Sequence, residues 1–279
     1  MGTLLRAGAN ENRPIIAPGQ TATDLCYFNL VRLGEGQTAR IAVPGYETVF
    51  TVLSGRADVA VAGQTFAGVG GRADVWSGRA DSVYAGTGTE VTLIGRAAAT
   101  EIAVAGGRSD GAFAPFRILP AEVDMVEVGS ADTHSRRRIF HILGHNGAGR
   151  AGNLLVSELY CDPGCWSGYP PHKHDTERPP TETAFQEVYH YRFRPESGFG
   201  CQVCYEAGAE PTAVVTRHGD TYLFARGYHP TATSPGHEEY IFTILVGLHQ
   251  RSLVQHFDPA HGHLTNVIPG LQAMRDKFK

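Results

Sequence analysis

The chain has 279 residues, 42% of them hydrophobic and 19% charged, with a formal net charge of -4. This composition is globular and carries no basic excess that would serve as a footprint for nucleic acid. No apolar run approaches the length that spans a bilayer, so a protein of one large or, preferably, two smaller domains acting on a small molecule is expected, with no membrane and no nucleic-acid partner.

The opening "MGTLLRAGANENRP" has no extended apolar stretch of the secretory kind, and a cytoplasmic location is the expectation. Thirty-four glycines and 16 prolines imply frequent turns and short strands. Strand-like runs follow along the chain: "TVFTVLSG", "ADVAVAG", "EVTLIG", "NLLVSELY", "EVYHYRF", "CQVCYE", "TAVVT", "TYLFA" and "YIFTILVG". Helical character is confined to the stretch Pro120 to Val126 and the tail "GLQAMRDKFK". The fold class is all-β. Five cysteines, Cys26, Cys161, Cys165, Cys201 and Cys204, are odd in number and match no disulfide framework, which fits reduced thiols. Cys201 and Cys204 form a C-x-x-C, but "GFGCQVCYEA" reads as a strand, in which positions three apart face opposite sides. Packing is therefore preferred for that pair over redox or zinc chemistry.

Two long segments resemble each other. "YETVFTVLSGRADVAVAGQ", Tyr46 to Gln64, and "FQEVYHYRFRPESGFGCQVCYE", Phe185 to Glu206, each run glutamate, apolar-aromatic strand, turn, second strand. Two copies of one β-barrel unit are implied, joined by a segment containing "SRRRIFHILG". Arg136 to Arg138 in that segment read as a solvated or interface patch. The first copy has Glu47 but no His-x-His and no histidine after "VYAG", so it is expected to be structural or oligomerising, and a homo-oligomer is expected.

In the second copy, "PPHKHD" sets His172 and His174 one residue apart. In an extended chain they share a face while Lys173 points away. With Glu187 at the start of the next strand and His229 after the turn "ARGYHP", they make a three-histidine, one-carboxylate set. That set suits one divalent ion of the Zn, Mn, Fe, Ni or Co class with positions left for water or substrate. Glu177 and Glu182 are the alternative carboxylates.

The order H-x-H, glutamate, Gly-x-His resembles the cupin superfamily, whose motifs read G-x5-H-x-H-x3,4-E-x6-G and G-x5-P-x-G-x2-H-x3-N. Here Asp175 to Gln186 stretch the first motif. In the second, Ala225 stands where the pattern has proline, and one residue rather than two separates Gly227 from His229. "PPHKHD", "EVYHYRF", "GFGCQVCY", "GDTYLFARGYHP", "ILVG" and "RAGAN" together resemble the 5-deoxy-glucuronate isomerase family of myo-inositol catabolism, bicupins related to the 4-deoxy-5-ketouronate isomerases. The likeness spans nearly the whole chain and is densest from Tyr169 to Gly247. Gln186 and His190 depart from that family's usual glutamate and tyrosine. The implied architecture is a bicupin of two tandem jelly-roll-like barrels: 1–113 a degenerate cupin, 114–149 a linker with connecting strands, and 150–279 the metal-binding cupin.

The activity implied by the resemblance is a metal-dependent aldose-ketose isomerisation of 5-deoxy-glucuronate to 5-dehydro-2-deoxy-gluconate. It passes through an enediolate if protons move, with hydride shift as the competing route. The metal would be the electrophile, and a base is also required. Glu187, Tyr189 and Tyr191 are the catalytic candidates, with a metal-bound water or an inward tyrosine ranked first as base and Glu158 and Glu182 considered. The substrate's carboxylate calls for an arginine fork. Arg192, Arg226 and Arg194 are the candidates, with Lys173 behind them and Gln202 and Tyr205 as possible hydroxyl contacts. The competing readings are an Fe(II) cupin dioxygenase and a non-catalytic sugar-binding bicupin. Activity without oxygen separates the first, and turnover itself separates the second.

Overall fold

The computed structural model describes residues 2–19 and 22–277. It is built almost wholly of antiparallel strands in five sheets. Strand patterning explains why. In Arg56–Val61 alternate residues Ala57, Val59 and Val61 are buried, while Tyr46–Ser54, Leu154–Cys161 and Glu238–Gly247 are buried almost throughout, as central strands covered on both faces are.

The chain divides into two compact units, and each draws on non-contiguous sequence. One consists of Ala9–Asp124 with Ile142–Val156. Its five-stranded sheet has the order Phe116–Ile118, Asp81–Ala85, Tyr46–Ser54, Thr100–Arg108, Cys26–Leu33. Its four-stranded sheet has the order Thr38–Ile41, Val91–Gly95, Arg56–Val61, Gln64–Gly70. A single apolar cluster fills the space between these sheets, with Val31, Phe50, Val83 and Val104 from the first and Val59, Val69 and Leu93 from the second.

The other unit comprises the segment up to Gly8, Met125–His141 and the chain from Ser157 onward. Its seven-stranded sheet has the order Thr3–Leu5, Thr221–Phe224, Phe185–Arg194, Glu238–Gly247, Leu154–Cys161, Arg137–Leu143, Asp124–Val128. Trp166–Ser167, Thr231–Thr233, Phe199–Cys204 and Thr212–Arg217 form a four-stranded sheet, and His172–Lys173 pairs with His256–Phe257. The strand order of the first unit therefore recurs. The series 81–85, 46–54, 100–108, 26–33 is repeated as 221–224, 185–194, 238–247, 154–161, and the four-stranded sheets correspond strand for strand. Hydrogen bonding does not close either unit into a continuous barrel among the described residues. Each holds paired sheets, as a jelly roll does.

The partition differs from one at 113 and 149. The connecting strands expected over 114–149 are present but are shared out, Met125–His141 going to one unit and Ile142–Val156 to the other, and Thr3–Leu5 pairs with Thr221–Leu223 rather than with its sequence neighbours. A further correction concerns the arginine run. Arg136 is exposed and pairs with Glu127 and Asp162, but Arg137 is 2% exposed, because the strand Arg137–Leu143 turns Arg137 and Ile139 inward together. The stretch near Pro120 forms one 3-10 turn, Pro120–Glu122, and the tail forms the helix Leu271–Lys277. Phe278 and Lys279 of the expected tail helix lie outside the described residues. All five cysteines are free, with Cys204 buried and Cys201 half-buried on the opposite side of its strand.

Candidate functional site

Three buried histidines converge. Their nearest ring nitrogens all lie within 4.8 Å of one another, from His172, His174 and His229. His172 is held by the short strand His172–Lys173 against His256–Phe257, and His174 follows it one residue on. Lys173, between them, turns away to Asp175 and Glu182. The loop from Asp175 to Ala184 is pinned by Glu182, whose carboxylate accepts from Lys173 Nζ, from the Asp175 and Thr176 amides and from Arg178. Glu177 accepts from the Ala184 amide and from Gln250. Both alternative carboxylates are thus engaged in fixing the loop, and it is Glu187 Oε2 that lies 3.0 Å from Nε2 of both His174 and His229. Asp175 also accepts from the Gly227 amide at 2.7 Å, which ties the loop carrying His229 to the one carrying His174.

The histidine tautomers follow from their backbone partners. Nδ1 of His172, His174 and His229 faces the carbonyl of Pro170, Phe185 and Gly227 at 3.1, 3.3 and 2.8 Å. A carbonyl only accepts, so each Nδ1 carries the proton and each Nε2 presents a lone pair to the centre. The Gln255 amide donates to Nε2 of His172 at 2.9 Å, consistent with that assignment. His229 Nε2 is a buried atom with no satisfactory hydrogen bond. Three imidazole lone pairs and a carboxylate make a donor set that fits a divalent ion, with the carbonyls as the outer partners that fix ring orientation.

Electrostatics agree. Burial opposes the charge on Glu187, but the His174 and His229 rings beside it outweigh burial and hold the carboxyl well below its ordinary range. His172 is pushed well below the ordinary imidazole value by burial and by the other two rings. Burial also disfavours the charged form of His174, yet Glu187 overcomes it and raises that ring. Tyr189 is held well above the ordinary phenol value by burial and by the charge of Glu187, so it stays protonated.

Beside the histidines opens a cavity lined by His172, Glu187, Tyr189, Arg137, Ser157 and Gln255, with apolar walls including Ile139, Leu159, Leu245 and Met274. The other residues singled out from the sequence lie elsewhere among the described residues. Tyr191 is fully buried and donates to Gln202 Oε1 at 2.7 Å. Gln202 Nε2 in turn donates to the carbonyls of His229 and Pro230, so it supports the His229 loop from behind. Arg192 and His190 alternate with Glu187, Tyr189 and Tyr191 along their strand and do not line the cavity. Arg226, 63% exposed in its side chain, pairs with Glu206, and Arg194 pairs with Glu238. Tyr205 donates to Asp258, and Glu158 accepts from Tyr240. Arg137, Ser157, Thr243 and Gln255 are the polar cavity residues that sequence reasoning missed. For Arg137 the signal was present in its strand phase with Ile139.

In the first unit, Glu47 is buried where the repeat sets it opposite Glu187. It accepts from Tyr84 Oη at 2.5 Å and from the amides of Gly152 and Leu154 at 2.7 and 2.9 Å. Its oxygens are taken up by protein donors, and no histidine cluster accompanies it among the described residues.

Residues 4–264 match the model of the KduI/IolB family. A Geobacillus kaustophilus protein named 5-deoxy-glucuronate isomerase is 31% identical over 249 residues, covering 88% of each chain. A Listeria monocytogenes protein of the same name is 29% identical over 273 residues, covering 94% of this chain and 97% of the relative. The crystal structure of an IolB-like protein from Salmonella typhimurium superposes with a TM-score of 0.80 at 27% identity, covering 86% of this chain and 90% of that one. A Bacillus subtilis oxalate decarboxylase variant, with a TM-score of 0.58 at 11% identity and coverage of 95% and 78%, shares the fold alone. No helix among the described residues is long and apolar enough to cross a membrane.

Proposed function

Because the chain belongs to the KduI/IolB family, we propose that it is a 5-deoxy-glucuronate isomerase, converting 5-deoxy-glucuronate to 5-dehydro-2-deoxy-gluconate in myo-inositol catabolism. The observation that carries the reading is the convergence of three imidazoles, each fixed by a backbone carbonyl behind it, beside a cavity that His172, Glu187 and Tyr189 line. His172, His174, His229 and Glu187 would hold one divalent ion of the Zn, Mn, Fe, Ni or Co class. When bound, such an ion supplies a Lewis acid for the substrate's carbonyl and hydroxyl oxygens.

The remaining work belongs to the chain. An aldose-ketose conversion takes a hydrogen from the hydroxyl-bearing carbon and returns one to the aldehyde carbon. Tyr189, kept protonated by burial and by the charge of Glu187, provides a proton donor to a substrate oxygen, while the proton from the hydroxyl-bearing carbon goes to a base other than this neutral phenol. Ile139, Leu159 and Leu245 give the cavity apolar walls, which lower the local dielectric and strengthen each polar contact inside it. Tyr191 and Gln202 act through the His229 loop rather than on substrate. Free cysteines suit a reducing, cytoplasmic setting, and homo-oligomeric assembly belongs to the same reading, open to sedimentation measurements.

The test is anaerobic incubation of metal-loaded protein with 5-deoxy-glucuronate, followed by NMR. Appearance of the keto product without oxygen is expected. A requirement for oxygen would instead favour a dioxygenase, and no turnover at all would leave a sugar-binding protein.

A further inference from the structure

Arg137 is among the largest fully buried side chains of the protein. Its guanidinium donates to two neutral acceptors, the Ser135 carbonyl at 2.8 Å and the Tyr169 carbonyl at 2.7 Å. Among the described residues no carboxylate lies within ion-pair distance of it, and the ionisable groups that act on it most are Cys161, Tyr189 and Cys165. Burial pushes it down to about 10, which still leaves the group charged at neutral pH. A buried cation without a counter-charge is a large desolvation cost, and folded proteins seldom leave one unanswered. Every other arginine weighed for the substrate's acid group differs in this respect or in location: Arg226 and Arg194 have carboxylate partners near the surface, and Arg192 lies outside the cavity.

Arg137 lines the same cavity as His172, Glu187 and Tyr189. Glu187 is the only carboxylate among the lining residues, and His174 and His229 already engage it. The two carbonyls hold the guanidinium plane in one orientation while leaving it donors to spare, since the group has five N–H bonds. We propose that Arg137 is the substrate-binding residue that grips the carboxylate of the sugar acid, and that it directs the aldehyde end of the molecule toward the three histidines. The inference rests on reading the site as that of a uronate isomerase. It also supplies the reason a buried cation is kept in a wall that has no free carboxylate to answer it, because the incoming carboxylate completes the ion pair inside the cavity.

The experiment compares an acid with its neutral amide. Metal-loaded wild type, Arg137→Met and Arg137→Lys are titrated calorimetrically with D-glucuronate and D-glucuronamide, and their KM values for 5-deoxy-glucuronate are measured. Wild type is expected to favour the acid by about 100-fold, and Arg137→Met to lose that preference and raise KM by a similar factor with its metal content unchanged. Arg137→Lys keeps the charge but loses the planar fork, and is expected to lose about 10-fold of the preference. A wild type without preference for the acid, or an Arg137→Met protein that retains it, overturns the proposal. Should Arg137→Met fail to fold by circular dichroism, an undiminished preference in Arg137→Lys overturns it instead. A wild type that does not isomerise yet binds the acid through Arg137 removes the isomerase reading and keeps the carboxylate site, whereas an active enzyme whose acid preference survives Arg137→Met does the reverse.

Discussion

His174→Ala removes an imidazole whose Nε2 is 3.0 Å from Glu187 Oε2 and whose Nδ1 faces a carbonyl. Losing an outer partner of a metal ligand costs about 10 to 100-fold in affinity, and losing the ligand itself costs more. Bound metal by elemental analysis and isomerase activity should therefore fall together, while wild-type turnover by a metal-free variant would reject metal catalysis. Arg226→Ala, by contrast, removes an exposed ion pair worth about 0 to 1 kcal/mol, and KM should not move. Glu239 gives a pH prediction away from the site. Burial raises its carboxyl from 4.5 to about 7, against one hydrogen bond from Thr233 that works the other way. The folded state thus holds a proton that the unfolded state releases, and the stability it brings is full below about pH 4.5 and lost as pH rises through about 7. Glu239→Gln should gain on the wild type by up to about 3 kcal/mol above that range and little below it, and parallel denaturation midpoints across pH would sink the argument. What single residues disclosed in advance depended on local geometry. The shared face of His172 and His174 and the diversion of Lys173 follow from strand alternation alone. The Arg226 ion pair with Glu206 and the Gln202 contacts with the carbonyls behind His229 depend on chain segments about 20 or more residues away, which spacing does not reveal.

The loop from Asp175 to Ala184 is an element that the family resemblance marks as an insertion between His174 and Glu187, and its conformation is governed by one side chain. Glu182 is fully buried and receives four donors, two from side-chain cations and two from backbone amides. Removing it takes one of two carboxylate partners from Lys173 and the partner of the exposed Arg178, and leaves the Asp175 and Thr176 amides without that acceptor, so Glu182→Ala should cost about 2 to 4 kcal/mol. Because the loop begins at His174 and Asp175 holds the Gly227 amide, the same variant should weaken metal binding while protease cleavage rises within 175–184. Cleavage unchanged from wild type would show that the loop is held by its other contacts. From sequence, this glutamate was a rival for the metal. Only its partners distinguish a carboxylate that fixes a loop from one that faces the histidines.

At the scale of the molecule, the repeat between Tyr46 to Gln64 and Phe185 to Glu206 was legible, and it reappears as the same strand order in both units. The assignment of edge segments was not, because short strands such as Thr3–Leu5 carry too few residues to signal a partner more than 200 positions away. The consequence is testable with a fragment spanning 150–279, which contains all four proposed metal ligands. In the full chain the seven-stranded sheet includes Thr3–Leu5, Arg137–Leu143 and Asp124–Val128, none of which the fragment retains. Leu154–Cys161, buried along its whole length, would become an apolar edge with unpaired backbone groups, and Thr221–Phe224 would lose its outer neighbour. Arg6, which pairs with the buried Asp220, would be missing too. Such an edge favours association over folding, so the fragment should lack near-UV circular dichroism and elute as aggregate. The full chain stripped of metal by a chelator should still unfold cooperatively, since its apolar core does not depend on the ion as a zinc finger's does. A monomeric, cooperatively folding 150–279 fragment with bound metal would show that the three missing strands are dispensable to the site.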